Sequence, residues 1–229
     1  MRRHFASECR SLQACLAKLP MAEAQAKTLM ARLHRVCSIP AGASIMEFGA
    51  AQGCLLMALA RLGYRAVGIE PSEEARRTAQ ELAEHEGIAV QIVKGVAEAV
   101  PAEEEGYDVV LACSVIEHVS NPQAAFNEAF RVLKPGGVFW FSTTSSLCPR
   151  QEEIGLFPLF GWYPDGVKRR LMEWAKNRRP ALVGYTQTPA IHWFTPWKAR
   201  RMLRQAGFVQ VYDRWDLRLP SECSRLGRV

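Results

Sequence analysis

Apolar and polar positions along the chain change period several times, and each change marks an element. Ile45-Met46-Glu47-Phe48 is an apolar run interrupted by one acid, and the Ala/Leu-rich stretch Cys54 to Arg61 follows soon after. Together they predict a buried strand, a tight turn over Gly49-Ala50-Ala51-Gln52-Gly53 and a helix. Tyr64 to Ile69 reads as a second strand ending in Glu70-Pro71, with Ser72 capping a helix that has Glu73 and Glu74 in its first turn. Val90 to Lys94 and Tyr107 to Ala112 are further strands, Asn121-Pro122 opens a helix reaching Leu133, and Val138 to Ser142 is a fifth strand. Such alternation predicts a parallel sheet with right-handed crossovers and a ligand at its carboxyl edge.

The flanks follow other rhythms. Phe5 to Leu19 and Met21 to Cys37 read as two helices separated by Pro20, with Leu12, Cys15, Leu16 and Leu19 at helical spacing. Between Thr143 and Ile191 the alternation stops: Ile154 to Pro164 is aromatic and broken by prolines, and Val167 to Arg178 has the pattern of a basic amphipathic helix. An ordered insertion of this length is expected to form a lid or substrate loop. Thr195-Pro196 then predicts a capped helix to Gln205, stopped by Gly207, and Phe208 to Trp215 a late strand. Leu217 to Val229 is a poor strand candidate.

The first turn carries the chemistry. Gly49 lets backbone approach a ligand closely, Gly53 permits tight packing at the helix start, and Glu47 points a carboxylate toward the same crevice. A dinucleotide fingerprint needs G-x-G-x-x-G to seat a pyrophosphate. Here Ala50 and Ala51 intervene and Glu47 would repel the diphosphate, so a nucleoside bearing a positive group suits the site better. Glu70 lies about 20 residues beyond the first glycine, where doubly wound folds place the acid that accepts from ribose hydroxyls.

These residues, with Gly106 to Cys113, Val115-Ile116-Glu117-His118-Val119, Arg131 to Gly137 and Ala206-Gly207-Phe208, resemble the motifs of class I S-adenosylmethionine-dependent methyltransferases. The resemblance covers roughly Ala43 to Arg214 and is nearest the small-molecule branch that includes the ubiquinone-biosynthesis type. It implies an α/β, doubly wound, Rossmann-like fold with a mostly parallel sheet and helices on both faces. One domain is expected over residues 1–229: N-terminal helices at 1–40, a cofactor-binding core at 43–143, an inserted lid or substrate region at 144–192, and a closing helix and strand at 193–216.

The resemblance also implies roles. Glu47 would meet the methionine amino group, Gly49, Ala50 and Gly53 would run beside the methionyl part, and Glu70 would hold both ribose hydroxyls. Pro71 would lie against adenine with Val96 and Ala97 on its other side, and Cys113 would line the cofactor through its backbone. The family commonly has an aspartate where this chain has Val96, so adenine would be held by backbone and apolar contact or by Glu98. His118 and His192 are the candidate general bases, with His118 favoured as a loop-orienting residue. Phe157, Trp162, Trp193 and Phe194 are the candidate acceptor-side residues, and His4, His34 and His85 read as surface positions.

Composition narrows the partners. Methyl transfer to a small molecule, at oxygen, is the first expectation, and no metal is implied. No N-P-P-Y or D-P-P-Y string follows the fourth strand, and Cys148-Pro149 reverses the Pro-Cys pair of RNA cytosine enzymes. The net charge of +6 nevertheless keeps an RNA (tRNA) methyltransferase open, as does a binding protein that has lost catalysis. Lys168, Arg169, Arg170, Lys176, Arg178, Arg179, Lys198, Arg200, Arg201 and Arg204 crowd the C-terminal third, a face suited to RNA, acidic lipid headgroups or an anionic substrate. The aromatic stretch before them is compatible with transient contact with a membrane surface. No 18-residue apolar run predicts a transmembrane helix. Seven scattered cysteines without C-x-x-C, and no apolar segment behind Met1-Arg2-Arg3, fit a reduced cytoplasmic setting.

Overall fold

In the computed structural model, residues 11–149, 153–183 and 190–219 are described. The chain enters on helix α1 (Leu12–Leu33), whose first turn is capped by the Ser11 hydroxyl accepting from Ala14 N at 3.3 Å. The sequence predicts two helices divided at Pro20; the structure has one, with Pro20 inside it, and positions before Ser11 lie outside the described residues. An interior proline costs about 3 kcal/mol because it removes an N–H and crowds the preceding turn. Burial on both sides of it offsets that cost. Cys15 and Leu19 pack with Met57 and Leu82, and Ala22, Ala26, Leu29, Met30 and Leu33 continue the same buried stripe.

Five parallel strands form the sheet: β1 (Ser44–Phe48), β2 (Arg65–Ile69), β3 (Gln91–Val93), β4 (Tyr107–Cys113) and β5 (Leu133–Ser142), in the order β3-β2-β1-β4-β5. Helices α2 (Cys54–Arg61), α3 (Glu73–Glu86) and α4 (Pro122–Val132) supply the crossovers. The chain builds outward from β1 to β3, then returns to the other side of β1 for β4 and β5. That reversal leaves a crevice outside the carboxyl ends of β1 and β4. β1 is flanked on both sides and its Ile45, Met46, Glu47 and Phe48 are all buried, which is why it reads as a near-continuous apolar run.

β5 starts earlier than its apolar run predicts. Leu133 pairs with Tyr107, the register then shifts, and pairing resumes with Val138 against Val109. Lys134 reaches back from this irregularity to Asp108 Oδ1 at 2.9 Å, while Asp108 Oδ2 accepts from Ser44 N at 2.8 Å. The adjoining ends of β1, β4 and β5 are tied together there.

The insertion makes a small core of its own. Ile154, Phe160, Met172, Ala175, Val183, Ala190 and Trp193 pack together around helix α5 (Asp165–Arg178), and Ile154 and Val183 form a bridge. Lys168, expected on the basic surface, is buried. Its Nζ pairs with Asp165 at 2.8 Å, donates to Gly161 O at 3.2 Å and lies 4.6 Å over the Trp193 ring.

Helix α6 (Pro196–Ala206) is capped by Thr195 Oγ1 and closed by Gly207, as its pattern predicts. The expected strand from Phe208 to Trp215 is absent. Phe208 stacks on Phe139 at 5.8 Å and meets Phe130 edge-on at 5.2 Å, but its neighbours join no ladder among the described residues. Asp213 Oδ1 instead accepts from Trp215 N and Asp216 N, closing a turn. Alternating side chains favour extended backbone, yet a strand also needs an adjacent edge for its N–H and C=O groups.

Candidate active site

Three successive strand ends converge on one crevice. Glu47 lies next to last in β1, opposite Gly68 of β2 and Leu111 of β4, and is 4 % exposed. Its Oε2 is buried with no hydrogen-bond partner. Burial, reinforced by the negative charge of Glu70, pushes its carboxyl up to about 8 from a normal 4.5. A buried acid of this kind stays protonated near neutrality until a cation or donor arrives.

The turn after β1 is shaped by three left-handed residues: Gly49 at φ 64°, Ala51 at φ 47° and Gly53 at φ 73°. Ala51 is the one carrying a side chain, and its strain is offset locally because its N–H donates to Glu70 Oε2 at 2.9 Å. Ala50 N donates to Ile69 O at 3.0 Å, and Gly53 N to Ala50 O at 2.8 Å. Glu70 Oε1 also accepts from Ser72 N at 2.9 Å. Glu70 therefore clamps the turn to the head of α3, and each of its oxygens keeps lone-pair capacity for a hydroxyl donor.

The two predicted glycines behave differently. At Gly53 an added Cβ would stand 2.9 Å from Ile92 Cδ1, so close packing at the helix start explains it. At Gly49, expected to leave room for a ligand, an added Cβ would stand 2.6 Å from Val115 Cγ2. The near space belongs to the loop after β4, which packs down on the turn. A third glycine, Gly68, brings β2 under Ala50 and Leu56, each 2.6 Å from where its Cβ would be.

That loop also brings an acid that the sequence pattern alone does not single out. Glu117 is buried and its carboxylate Oε2 accepts from Thr143 Oγ1 at 2.8 Å. Burial pushes its carboxyl up to about 7, against the hydrogen bonds from its own amide and Thr143. Its carbonyl accepts from Ile191 N at 2.8 Å and His192 N at 3.1 Å, and Thr144 Oγ1 donates to His192 O at 2.8 Å. Cys113, at the end of β4, has its thiol pushed far up by burial and then by Glu47 and Glu117. The available signal was the lone acid among apolar residues directly after a strand.

The two histidines sit on either side of this junction. His118 is half-buried, with its N–H donating to Val115 O at 2.9 Å. His192 is also half-buried, its ring is 6.4 Å from Phe194, and its Nε2 is buried without a hydrogen-bond partner. Burial lowers its pKa, Arg169 and Lys198 lower it further, and the carbonyls of Ser120 and Val119 act the other way. The ring is therefore neutral at pH 7, with one nitrogen able to accept a proton.

The remaining predicted positions divide. Pro71 is exposed beside Glu70, Val96 is exposed, and Ala97 is buried in the core under β4. Glu98, the alternative adenine partner, is engaged elsewhere, its Oε1 accepting from Ser120 N at 2.7 Å. Phe157 packs beside Phe160 and Trp162 is exposed on the insertion. Trp193 and Phe194 are 2 % and 3 % exposed: they are packed into the insertion's core and the β4-side core, not displayed on a wall. No cluster of metal-ligating side chains occurs among the described residues. A groove of about 700 Å³ between Ala60–Val67 and Gly87–Gln91 opens at the opposite edge of the sheet and contains none of these groups.

The arrangement suits a ligand carrying a cationic amine and a vicinal diol. Glu47 supplies an unsatisfied oxygen and Glu70 an anchored carboxylate one strand away. Those are the features of S-adenosylmethionine that protein side chains recognise, and the residues fit it.

Comparison with known proteins agrees. Residues 46–141 match the family model described as a methyltransferase domain. The chain is similar to a ubiquinone biosynthesis O-methyltransferase of Methylobacterium nodulans, 35 % identical over 65 % of this chain and 59 % of the relative. A second, from Maricaulis maris, is 32 % identical over 56 % of this chain and 52 % of the relative. The matches thus span little more than half the length of these curated relatives. Among solved structures, the YcgJ protein of Bacillus subtilis superposes with a TM-score of 0.57, at 19 % identity, over 80 % of this chain and 67 % of that one. At that identity the likeness speaks for the fold alone. Taken with the order of the parallel sheet, these matches identify residues 46–141 as a methyltransferase domain.

Proposed function

We propose that the protein transfers a methyl group from S-adenosylmethionine to an oxygen atom of a small-molecule acceptor. The observation that carries this reading is the buried, unsatisfied Oε2 of Glu47, near enough to the clamped carboxylate of Glu70 for that charge to raise its pKa. When bound, the cofactor supplies a methyl group on positively charged sulfur. Glu47 would give up its proton and hold the methionyl amine, with Gly49, Ala50 and Gly53 running their backbone alongside. Glu70 would accept from both ribose hydroxyls. Pro71 on one side, and Val96 and Ala97 on the other, would bracket adenine, and Cys113 would line the floor through its backbone.

What remains for the chain is positioning, water exclusion and one proton. Holding donor and acceptor in line can supply about 7–11 kcal/mol of barrier reduction. The insertion, with Phe157 and Trp162 toward its surface and Trp193 and Phe194 fixing its base, would cover the acceptor. His192 would accept the hydroxyl proton at Nε2, held in place by Glu117 and Thr144 through its backbone. His118 would orient the loop that carries Glu117. Oxygen as the target is supported by the O-methyltransferase relatives and by a neutral base suited to a weakly acidic hydroxyl.

The test is transfer of label from methyl-labelled S-adenosylmethionine into a fractionated metabolite extract, with the product identified by mass and methyl chemical shift. Labelled methoxy product that disappears in Glu70→Ala supports the assignment. Tight donor binding without turnover, or no donor binding at all, defeats it.

A further inference from the structure

Helix α6 carries a surface that neither the core nor the acid-lined crevice uses. Of its eleven residues only Leu203 is fully buried, and Trp197 is 70 % exposed. Trp197, Arg200, Arg201 and Arg204 stand three, four and seven positions apart, which puts them on one face. With Gln205 they line a shallow groove of about 450 Å³. Among the described residues none of these arginines forms an ion pair, whereas Arg61, Arg131, Lys134 and Lys168 each meet a carboxylate. Like charges at helical spacing repel, so the folded chain gains nothing by grouping them.

The segment after α6 repeats the pairing of aromatic and arginine. Val209 is 85 % exposed, Tyr212 is exposed, and Trp215 is 56 % exposed. The guanidinium of Arg218 lies 3.6 Å from the Trp215 ring centre, and that of Arg214 lies 4.7 Å from it.

We propose that the Trp197–Arg200–Arg201–Arg204 face of α6 docks the protein on an anionic phospholipid surface. The three free guanidiniums complement lipid phosphates, and a tryptophan among them can sit at headgroup depth, where an amphipathic ring is favoured. Nucleic acid fits the same charge less well. Val209 is apolar and outward, which favours the acyl boundary over a phosphate backbone. This inference is independent of the proposed methyl acceptor.

The test is flotation of the full chain with vesicles of phosphatidylcholine alone or with added phosphatidylglycerol. Binding is expected only with phosphatidylglycerol and weakens as salt rises. Each arginine near an anionic surface is worth about fivefold in partition, so R200Q/R201Q/R204Q should bind roughly a hundredfold more weakly. Trp197→Ala should lose binding that salt does not account for. All four side chains are exposed, and unchanged thermal melts will show that the variants fold. The proposal is overturned by absent binding, by equal binding to neutral vesicles, or by variants that bind like the parent. Tighter capture of tRNA than of vesicles through the same arginines also overturns it, in favour of an RNA surface.

Discussion

Replacing Glu47 with glutamine isolates the physical feature on which the site depends. In the unfolded chain the carboxyl titrates near 4.5, and in the folded protein burial and then Glu70 hold it near 8. Below pH 4.5 it is neutral in both states and costs nothing. As pH rises toward 8 the unfolded chain ionises freely while the folded protein keeps its proton, so stability falls. Between pH 5 and pH 8 this one group should remove roughly 3 kcal/mol, at about 1.36 kcal/mol for each pH unit over which the two states differ by one proton. Glu117, raised to about 7, adds a loss of the same sign, so the wild-type slope alone does not single out Glu47. The difference between wild type and Glu47→Gln does, because any packing cost of the amide is independent of pH. Urea unfolding at pH 5, 6.5 and 8, without ligand, should show the variant gaining on wild type by roughly 3 kcal/mol across that range. Parallel pH profiles would mean that Glu47 ionises normally and that no poised acid waits in the crevice. The same carboxyl should release its proton when it meets a cationic amine. Calorimetric titration with S-adenosylmethionine at pH 7 should then give enthalpies that differ between buffers of unlike ionisation heat, and equal enthalpies would contradict the assigned role.

Three further outcomes follow from the geometry. His192→Gln should lower kcat by about 10²–10⁴-fold with little change in donor affinity, while the wild-type rate rises with pH through a pKa below 6.5 and then levels; an unaltered kcat removes His192 from the chemistry. Gly49→Ala forces a Cβ to 2.6 Å from Val115 Cγ2 at φ 64° and should cost about 1–3 kcal/mol in chemical unfolding; a Val115→Ala partner should recover part of that loss, and no recovery would mean that the contact is not the cause. Lys168→Ala removes the bond to Gly161 O and the contact with Trp193, and should loosen the insertion by about 1–3 kcal/mol, seen as faster amide exchange over 160–175 with residues 44–48 unchanged.

Most of the elements can be read from residue order alone. Periodicity places all five strands and the helices α2 to α6, because each element's buried face repeats at its own spacing and most ends carry their caps: Ser72, Asn121, Thr195 and Gly207 act as their types predict. The acids at the ends of β1 and β2 are legible because a carboxylate in an apolar run is conspicuous. Tertiary structure decided everything that depended on a neighbour. Pro20 does not divide α1, since burial against α2 and α3 outweighs one lost hydrogen bond. Phe208 to Trp215 is no strand, since alternation chooses a face but cannot supply an edge to pair with. Lys168 goes inside because Asp165, Gly161 and Trp193 gather around it, and Gly49 serves Val115. Glu117 joins the crevice through contacts with residues 143 and 191–192, distant in sequence and adjacent only after folding. Local patterns fix what each segment tends to become. Desolvation, pairing and shared protons belong to pairs of segments, and only packing determines which segments meet.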